Sequence, residues 1–265
     1  RSCTKRWRYY IRLAYWKKTM LKSSNGGLEP IHAISECRIS NHISQFYNVD
    51  VHNSSVLRWI QRFAEVVSPF VNGITPPHLS GIYHVDEMMI HVRREKMEVG
   101  HYQWLWNMMD NTTRFWISGI VSQRREIADA RKVFQDAKTK TANVTAIIHD
   151  GLWSYDEAFQ KEYFTLKNRR VHNVRSISVR NQGFNSKVER LNGTMREREK
   201  VMRGMQNKQT AQKVLEAMRI YYNHCRMHSK LKTTPAERAG IRIESKNSNK
   251  IEKLIRLSRT GNTHF

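Results

Sequence analysis

The stretch Ile82-Tyr83-His84-Val85-Asp86-Glu87-Met88-Met89-Ile90 sets a carboxylate in the middle of an otherwise apolar run. Alternation puts Ile82, His84, Asp86, Met88 and Ile90 on one side and Tyr83, Val85, Glu87 and Met89 on the other. Pro76-Pro77 and Gly81 punctuate the chain just before it. Both sides are largely apolar, so the run predicts a strand buried on both faces. An ionised carboxylate there is costly unless a charge meets it. Two more acidic residues stand in comparable settings. Asp150 closes the apolar run that starts at Val144, just ahead of Gly151, and Glu189 lies in the helix-patterned segment from Asn185 to Asn192. Three carboxylates from two strands and a helix suit divalent ions, which need hard oxygen ligands converging where two ions sit roughly 3.5–4 Å apart. Plainer readings exist for two of them: Asp150 as a turn or cap residue, and Glu189 as part of a solvated ion-pair face beside Lys187 and Arg190.

Around this stretch the pattern is that of a mixed sheet. A second run, His101 to Met109, and a third, Arg114 to Val121, follow after short turns, which predicts an antiparallel meander. Glu126 to Lys138 has helical period with Ile127, Ala130, Val133, Phe134 and Ala137 inward, and Val144 to His149 follows as a strand. A strand, helix, strand order favours parallel pairing and helices packed on the sheet. Ser154-Tyr-Asp-Glu157 has capping-box spacing and predicts a helix to Glu162; a short strand follows near Val171 to Val174. Helices are predicted over Lys187 to Arg203 and Gln209 to Cys225, and Thr234-Pro-Ala-Glu237 carries the signature of another helix start. Lys246 to Phe265 shows no clear periodicity and reads as a basic tail. Trp104, Trp106, Phe115 and Trp116 read as core, and Asp110 as a turn residue.

Upstream, Ile34, Ile39, Ile43 and Phe46 fall at helical spacing. After a polar break, Asn53 or Ser54 can cap a second helix with Val56, Trp59, Ile60 and Phe63 on one face. With Ser55, Arg58, Gln61 and Arg62 on its polar side, this pair matches a DNA-binding helix-turn-helix, or any small helical hairpin. Ser68-Pro69 and Thr75-Pro76-Pro77 read as breaks marking a linker. The first 27 residues interleave basic side chains with Trp7, Tyr9, Tyr10, Tyr15 and Trp16 and suit phosphate contact and stacking, or an amphipathic helix on the next domain. The resulting division is a basic aromatic segment (1–30), a helix-turn-helix domain (31–75), a catalytic core (78–205), its C-terminal helices (206–243) and the tail (244–265).

The net charge of +23 over 265 residues selects a polyanion as partner, nucleic acid first. Three dispersed cysteines, Cys3, Cys37 and Cys225, argue against a disulfide framework and fit a reducing compartment. His224, Cys225 and His228 lack the further pair that a four-ligand zinc site needs. No apolar run approaches membrane-spanning length and no signal peptide is visible, so a cytoplasmic location is expected. The chain opens at Arg1 rather than Met, which fits a fragment of a longer frame.

His84-Val-Asp-Glu87, His149-Asp-Gly151 and Asn185-Ser-Lys-Val-Glu-Arg-Leu-Asn192 together resemble the DDE transposase and integrase superfamily, insertion-sequence transposases of the IS6 and IS240 type above all. Tyr222-Asn-His-Cys-Arg-Met-His228 and Thr234-Pro-Ala-Glu237 are similar to the end of the same proteins, and the resemblance spans residues 31–243. It implies an RNase H-like core, a mixed five-stranded sheet with flanking helices behind a small all-α helix-turn-helix domain. It further implies that Asp86, Asp150 and Glu189 are the catalytic residues and bind two Mg²⁺ or Mn²⁺ ions. Lys187, Arg190 and Asn192 would then lie near the scissile DNA, and Tyr222, Asn223, Arg226 and His228 near the C-terminal end of the core. Glu87 fits the pattern without being assigned a metal. Glu189 stands 39 positions after Asp150, longer than usual for the group, which implies an extended loop between them. The implied partners are terminal inverted repeats, target DNA and further copies of the chain in a dimer or higher assembly.

Overall fold

The computed structural model describes residues 36–92, 102–164, 171–176, 185–202, 204–243 and 249–260. The expected basic aromatic segment at the N-terminus and residues 93–101 between the first two strands lie outside them. Strands β1 (Ile82–His91), β2 (Tyr102–Asp110) and β3 (Trp116–Ser122) form the predicted antiparallel meander. β4 (Ala146–His149) adds to β1 in parallel, and β5 (His172–Arg175) adds to β4 in parallel. The order β3-β2-β1-β4-β5, with β1 at the centre, is the expected RNase H-like mixed sheet.

Both faces of β1 are covered, as its composition requires. Tyr83 and Val85 join Trp106, Met108 and Ile147 under helices α3 (Ile127–Lys140) and α4 (Trp153–Glu162), which supply Val133, Phe134, Tyr155 and Phe159. Met88 and Ile90 join Leu105, Met109 and Trp116 on the other face, beneath α5 (Ser186–Met202) and α6 (Lys208–His224). Gly81, with φ of 78°, immediately precedes β1, and its carbonyl accepts the Thr145 and Ala146 amides at 2.7 and 3.2 Å. That pair of bonds fixes where β4 starts against β1. Asp110 is a turn residue: its Oδ1 accepts the Ser80 amide and hydroxyl at 2.8 and 2.6 Å, and its Oδ2 accepts from Thr112 and Thr113.

Several local expectations are corrected. Helix α1 (Glu36–Tyr47) buries Ile39, but Phe46 points to solvent rather than inward. Helix α2 (Asn53–Asn72) is capped by His52, whose Nδ1 accepts the Ser54 amide at 3.3 Å, rather than by Asn53 or Ser54. It also runs straight through Pro69, where a break was expected. A proline inside a helix costs about 3 kcal/mol. Here Val67 and Val71 bury against Ile220 and Cys225 of α6 and offset that loss, while Gly73 closes the helix by donating to the Pro69 and Phe70 carbonyls. The supposed tail contains helix α8 (Lys250–Thr260), whose Leu254 is fully buried in the same cluster. α4 starts at Leu152 without a side-chain cap, so the capping box at Ser154 does not form; the Ser154 hydroxyl donates to the Arg125 carbonyl at 3.2 Å instead. The capping box at Thr234 does form, at the start of α7 (Pro235–Arg238). No helix among the described residues is long and apolar enough to cross a membrane.

Candidate active site

Parallel pairing of β1 with β4 sets Ile82 beside Ala146 and His84 beside Ile148. Continued two residues, that register carries Asp86 alongside Asp150, at the point where β4 ends. Gly151, with φ of 96°, then turns the chain sharply toward α4. Asp150 stays exposed, and its Oδ1 accepts the Leu152 amide at 3.1 Å. Behind it His149 is fully buried. Its Nδ1 accepts the Gly151 amide at 3.1 Å, so its Nε2 carries the proton and donates to the Asn173 side-chain Oδ1 at 2.8 Å. Asn173 in turn donates to Asp156 at 2.7 Å. Burial holds the His149 imidazole below its ordinary pKa, consistent with a neutral, structural ring.

Asp86 is held from the α5 face. Asn192 donates to its Oδ2 at 2.8 Å and accepts from the Asn107 amide at 2.6 Å. Asn107 is the residue paired with Asp86 across β1 and β2, so a single amide bridges two neighbouring strand positions. Asn192, expected to contact DNA, is buried with its amide engaged, and it holds the Asp86 carboxylate against Asn107. Neither Asn107 nor this role was read from the sequence. The signal was a second polar residue inside an apolar strand, which becomes meaningful only once the strand register is known.

Glu87 points to the opposite face. Its side chain pairs with Arg125 and accepts the Tyr155 hydroxyl at 2.6 Å. Asp86, Glu87 and Asp150 each offer an oxygen within 4.8 Å of the others, a set of hard donors able to hold a cation. Glu189, in the first turn of α5, is exposed and stands outside that tight group, although its charge reaches Asp86. The structure thus brings together two of the three expected carboxylates plus Glu87. Burial first, then the charges of Glu87, Asp150 and Glu189, push the Asp86 carboxyl up to about 7. Like charges gathered around a buried acid are the electrostatic signature of a place made for a cation.

The other expected residues separate clearly. Lys187 is half-buried and bonds Asn111, which also meets His84 Nε2 at 3.0 Å. Arg190 is exposed, and Arg226 lies over the Tyr222 ring at 5.6 Å. Asn223 is buried and exchanges hydrogen bonds with the backbone of Trp116, both at 2.9 Å. His224 is buried edge-on to Phe115 and Cys225 sits in the α2–α6–α8 cluster, so the two belong to the core. On α2, Ser55 and Arg58 share a bond of 3.0 Å on the outer face, whereas Arg62 pairs with Glu65 at 3.1 Å and Gln61 is half-buried.

A carboxylate cluster at the open end of a mixed five-stranded sheet is the arrangement of a DDE-type core. Residues 81–228, more than half of the chain, match the DDE domain of IS240-type transposases. The chain belongs to that family. No curated protein sequence matches it. Solved structures similar in fold include a chain of the simian T-cell lymphotropic virus intasome in complex with PP2A regulatory subunit B56 gamma. That match has a TM-score of 0.45 and 15% identity, and covers 66% of this chain and 60% of that one. This chain therefore spans less than two thirds of its length. Another is the HTLV-2 integrase catalytic core domain in complex with magnesium, in its trimeric form, with a TM-score of 0.42 and 14% identity over 62% of this chain and 97% of that one.

Proposed function

We propose that this protein is the transposase of an insertion sequence, acting in the cytoplasm of a prokaryote. It binds terminal inverted repeats, cuts the element ends and joins their 3′-hydroxyls to target DNA. The observation that carries the reading is the convergence of Asp86 and Asp150 at the ends of adjacent parallel strands, in a chain whose core is a DDE domain.

Asp86 and Asp150 hold divalent ions, two Mg²⁺ or Mn²⁺, with Glu189 as the third carboxylate. Glu87 is the less apt ligand, because Arg125 and Tyr155 already engage its two oxygens. When bound, the ions supply positive charge to both the attacking and leaving oxygens of an in-line phosphoryl transfer, which serves cutting and joining alike. Asn192 keeps Asp86 aimed at the site, and the His149–Asn173–Asp156 chain keeps the Asp150 turn rigid. Lys187 and Arg190 on α5, with Arg226 just after α6, present positive charge to DNA. Ser55 and Arg58, on the outer face of α2, are the residues placed to read the terminal repeats, with Gln61 and Arg62 beside them. Two ends must meet for transposition, so the active form is a dimer or higher assembly on DNA.

The test uses labelled duplex carrying the element end, with Mg²⁺ or Mn²⁺, and compares the protein with Glu189→Gln and Glu87→Gln. Joined products are expected from the unsubstituted protein, none from Glu189→Gln, and a smaller loss from Glu87→Gln. Cleavage without joining makes the protein a nuclease and overturns the reading, as does full activity of Glu189→Gln.

A further inference from the structure

Glu87 follows Asp86 on β1, and one of its oxygens lies within 4.8 Å of oxygens of Asp86 and Asp150. It differs from them in its partners. Its Oε1 pairs with the Arg125 guanidinium, and its Oε2 accepts the Tyr155 hydroxyl at 2.6 Å. Among the described residues neither Asp86 nor Asp150 forms an ion pair: Asp86 accepts from the neutral Asn192 amide, and Asp150 from the Leu152 backbone. Three carboxylates converge, and one of them already has its cation.

The two sides of the Arg125–Glu87 pair are built unequally. The Glu87 side chain is 3% exposed, and Tyr155, fully buried edge-on to Trp106 at 5.4 Å, fixes its second oxygen. The Arg125 side chain is 38% exposed and comes from the turn between β3 and α3, with its guanidinium 4.9 Å from the Trp104 ring centroid. Its main chain is tied down, because the Arg125 carbonyl accepts the Ser154 hydroxyl at 3.2 Å. The guanidinium can therefore swing into water about an anchored backbone, while the carboxylate stays at the cluster. An arginine never gives up its charge by losing a proton, so only a competing cation frees Glu87. A divalent ion is such a competitor, with twice the charge and a preference for the same hard oxygens.

We propose that Arg125 is the built-in counter-cation of the carboxylate cluster: it holds Glu87 back from a divalent ion and so lowers the affinity of the site for metal. The proposal rests on the metal-binding reading of Asp86 and Asp150, and on the Arg125–Glu87–Tyr155 contacts for the rest. Arg125 is a positioning residue, acting through Glu87. Breaking a buried pair is unfavourable, and that loss is subtracted from the binding of any ion that recruits Glu87.

The experiment measures Mn²⁺ binding to the full metal-free chain by electron paramagnetic resonance, and melting temperature with and without Mn²⁺. Arg125→Gln should bind Mn²⁺ roughly tenfold tighter than the unsubstituted chain, and Arg125→Lys, which keeps the charge, should return affinity toward the original. Arg124→Gln removes the same charge one residue away, from an exposed pair with Glu126 at 3.3 Å. It should leave affinity within about twofold, because exposed charges are screened. Without metal Arg125→Gln should melt below the original, since Glu87 is left buried without its cation, and Mn²⁺ should raise its melting temperature by more than it raises the original's. The double variant Arg125→Gln/Glu87→Gln leaves neither charge buried alone, so it stays readable even if Arg125→Gln does not fold. Its affinity should match the original within about threefold, whereas a pair that only supports the site structurally predicts weaker binding. Arg125→Gln binding no tighter than the original, an equal gain in Arg124→Gln, or a double variant that departs from the original in either direction overturns the proposal. If Asp86→Asn abolishes uptake while Arg125→Gln leaves it unchanged, this inference fails alone. If the unsubstituted chain and Arg125→Gln both take up no Mn²⁺, the metal-binding reading fails and this inference with it.

Discussion

Asp86 concentrates the chemistry of the molecule. Its carboxyl rises from an ordinary value of 3.8 to about 7 on folding, so it holds its proton more tightly in the folded chain. Its contribution to the stability of the metal-free protein is therefore fully present below pH 3.8 and is lost as pH rises to about 7. The loss is on the order of 4 kcal/mol at 1.36 kcal/mol per pH unit. Melting temperatures in chelator should thus fall between those limits relative to Asp86→Asn; equal profiles for the two proteins contradict the assignment. A divalent ion competes with the same proton, so stabilisation by Mn²⁺ should grow from pH 6 to pH 8. Asn192→Ala should cost about 1–3 kcal/mol, since it strips partners from buried Asp86 and Asn107, and should weaken Mn²⁺ binding as well; calorimetric titration reads the second effect. At this scale the sequence was informative where a residue broke its local pattern. Asp86 was visible as a charge in an apolar strand. The bond of Asn192 to Asp86 was not legible, because a polar residue on a basic helix looks like a surface contact until its buried partner across the sheet is known.

At the scale of elements, the meander and the parallel β4 were legible because short turns and period-two runs leave few alternatives. The ends of helices were less so. The sequence places a proline at position 69 and a charged, irregular C-terminal stretch, and local rules call a break and a tail. What decides both is burial against α6, a contact distant in sequence: Val67, Val71 and Leu254 meet Ile220 and Cys225. In the C-terminal stretch Ile251, Leu254 and Ile255 do recur at helical spacing, a signal that its basic, polar composition masked. Leu254→Ala should therefore destabilise the protein by about 2–5 kcal/mol, and loosen α2 along with α8. Denaturant unfolding reads the first effect and amide exchange in Val66 to Asn72 the second. A substitution that leaves both unchanged contradicts the packing described for α8.

For the whole molecule the net charge of +23 makes the proposed DNA binding strongly electrostatic. Affinity should drop steeply with salt, on the order of a thousandfold between 50 and 200 mM if some six phosphates are contacted. α2 packs on α6 and shares a hydrophobic cluster with it, so the helical hairpin and the catalytic core are coupled through α6. Charge, topology and three ordered acidic motifs made the class legible in the sequence, whereas the crowding of carboxylates that drives up the Asp86 pKa came only with the strand register. The most direct measurement is Mn²⁺ binding to the metal-free protein at pH 7.5, followed by electron paramagnetic resonance, for the unsubstituted chain and for Asp86→Asn, Asp150→Asn and Glu189→Gln. The account predicts uptake by the unsubstituted chain that each substitution weakens at least tenfold. Undiminished uptake by Asp86→Asn would contradict it.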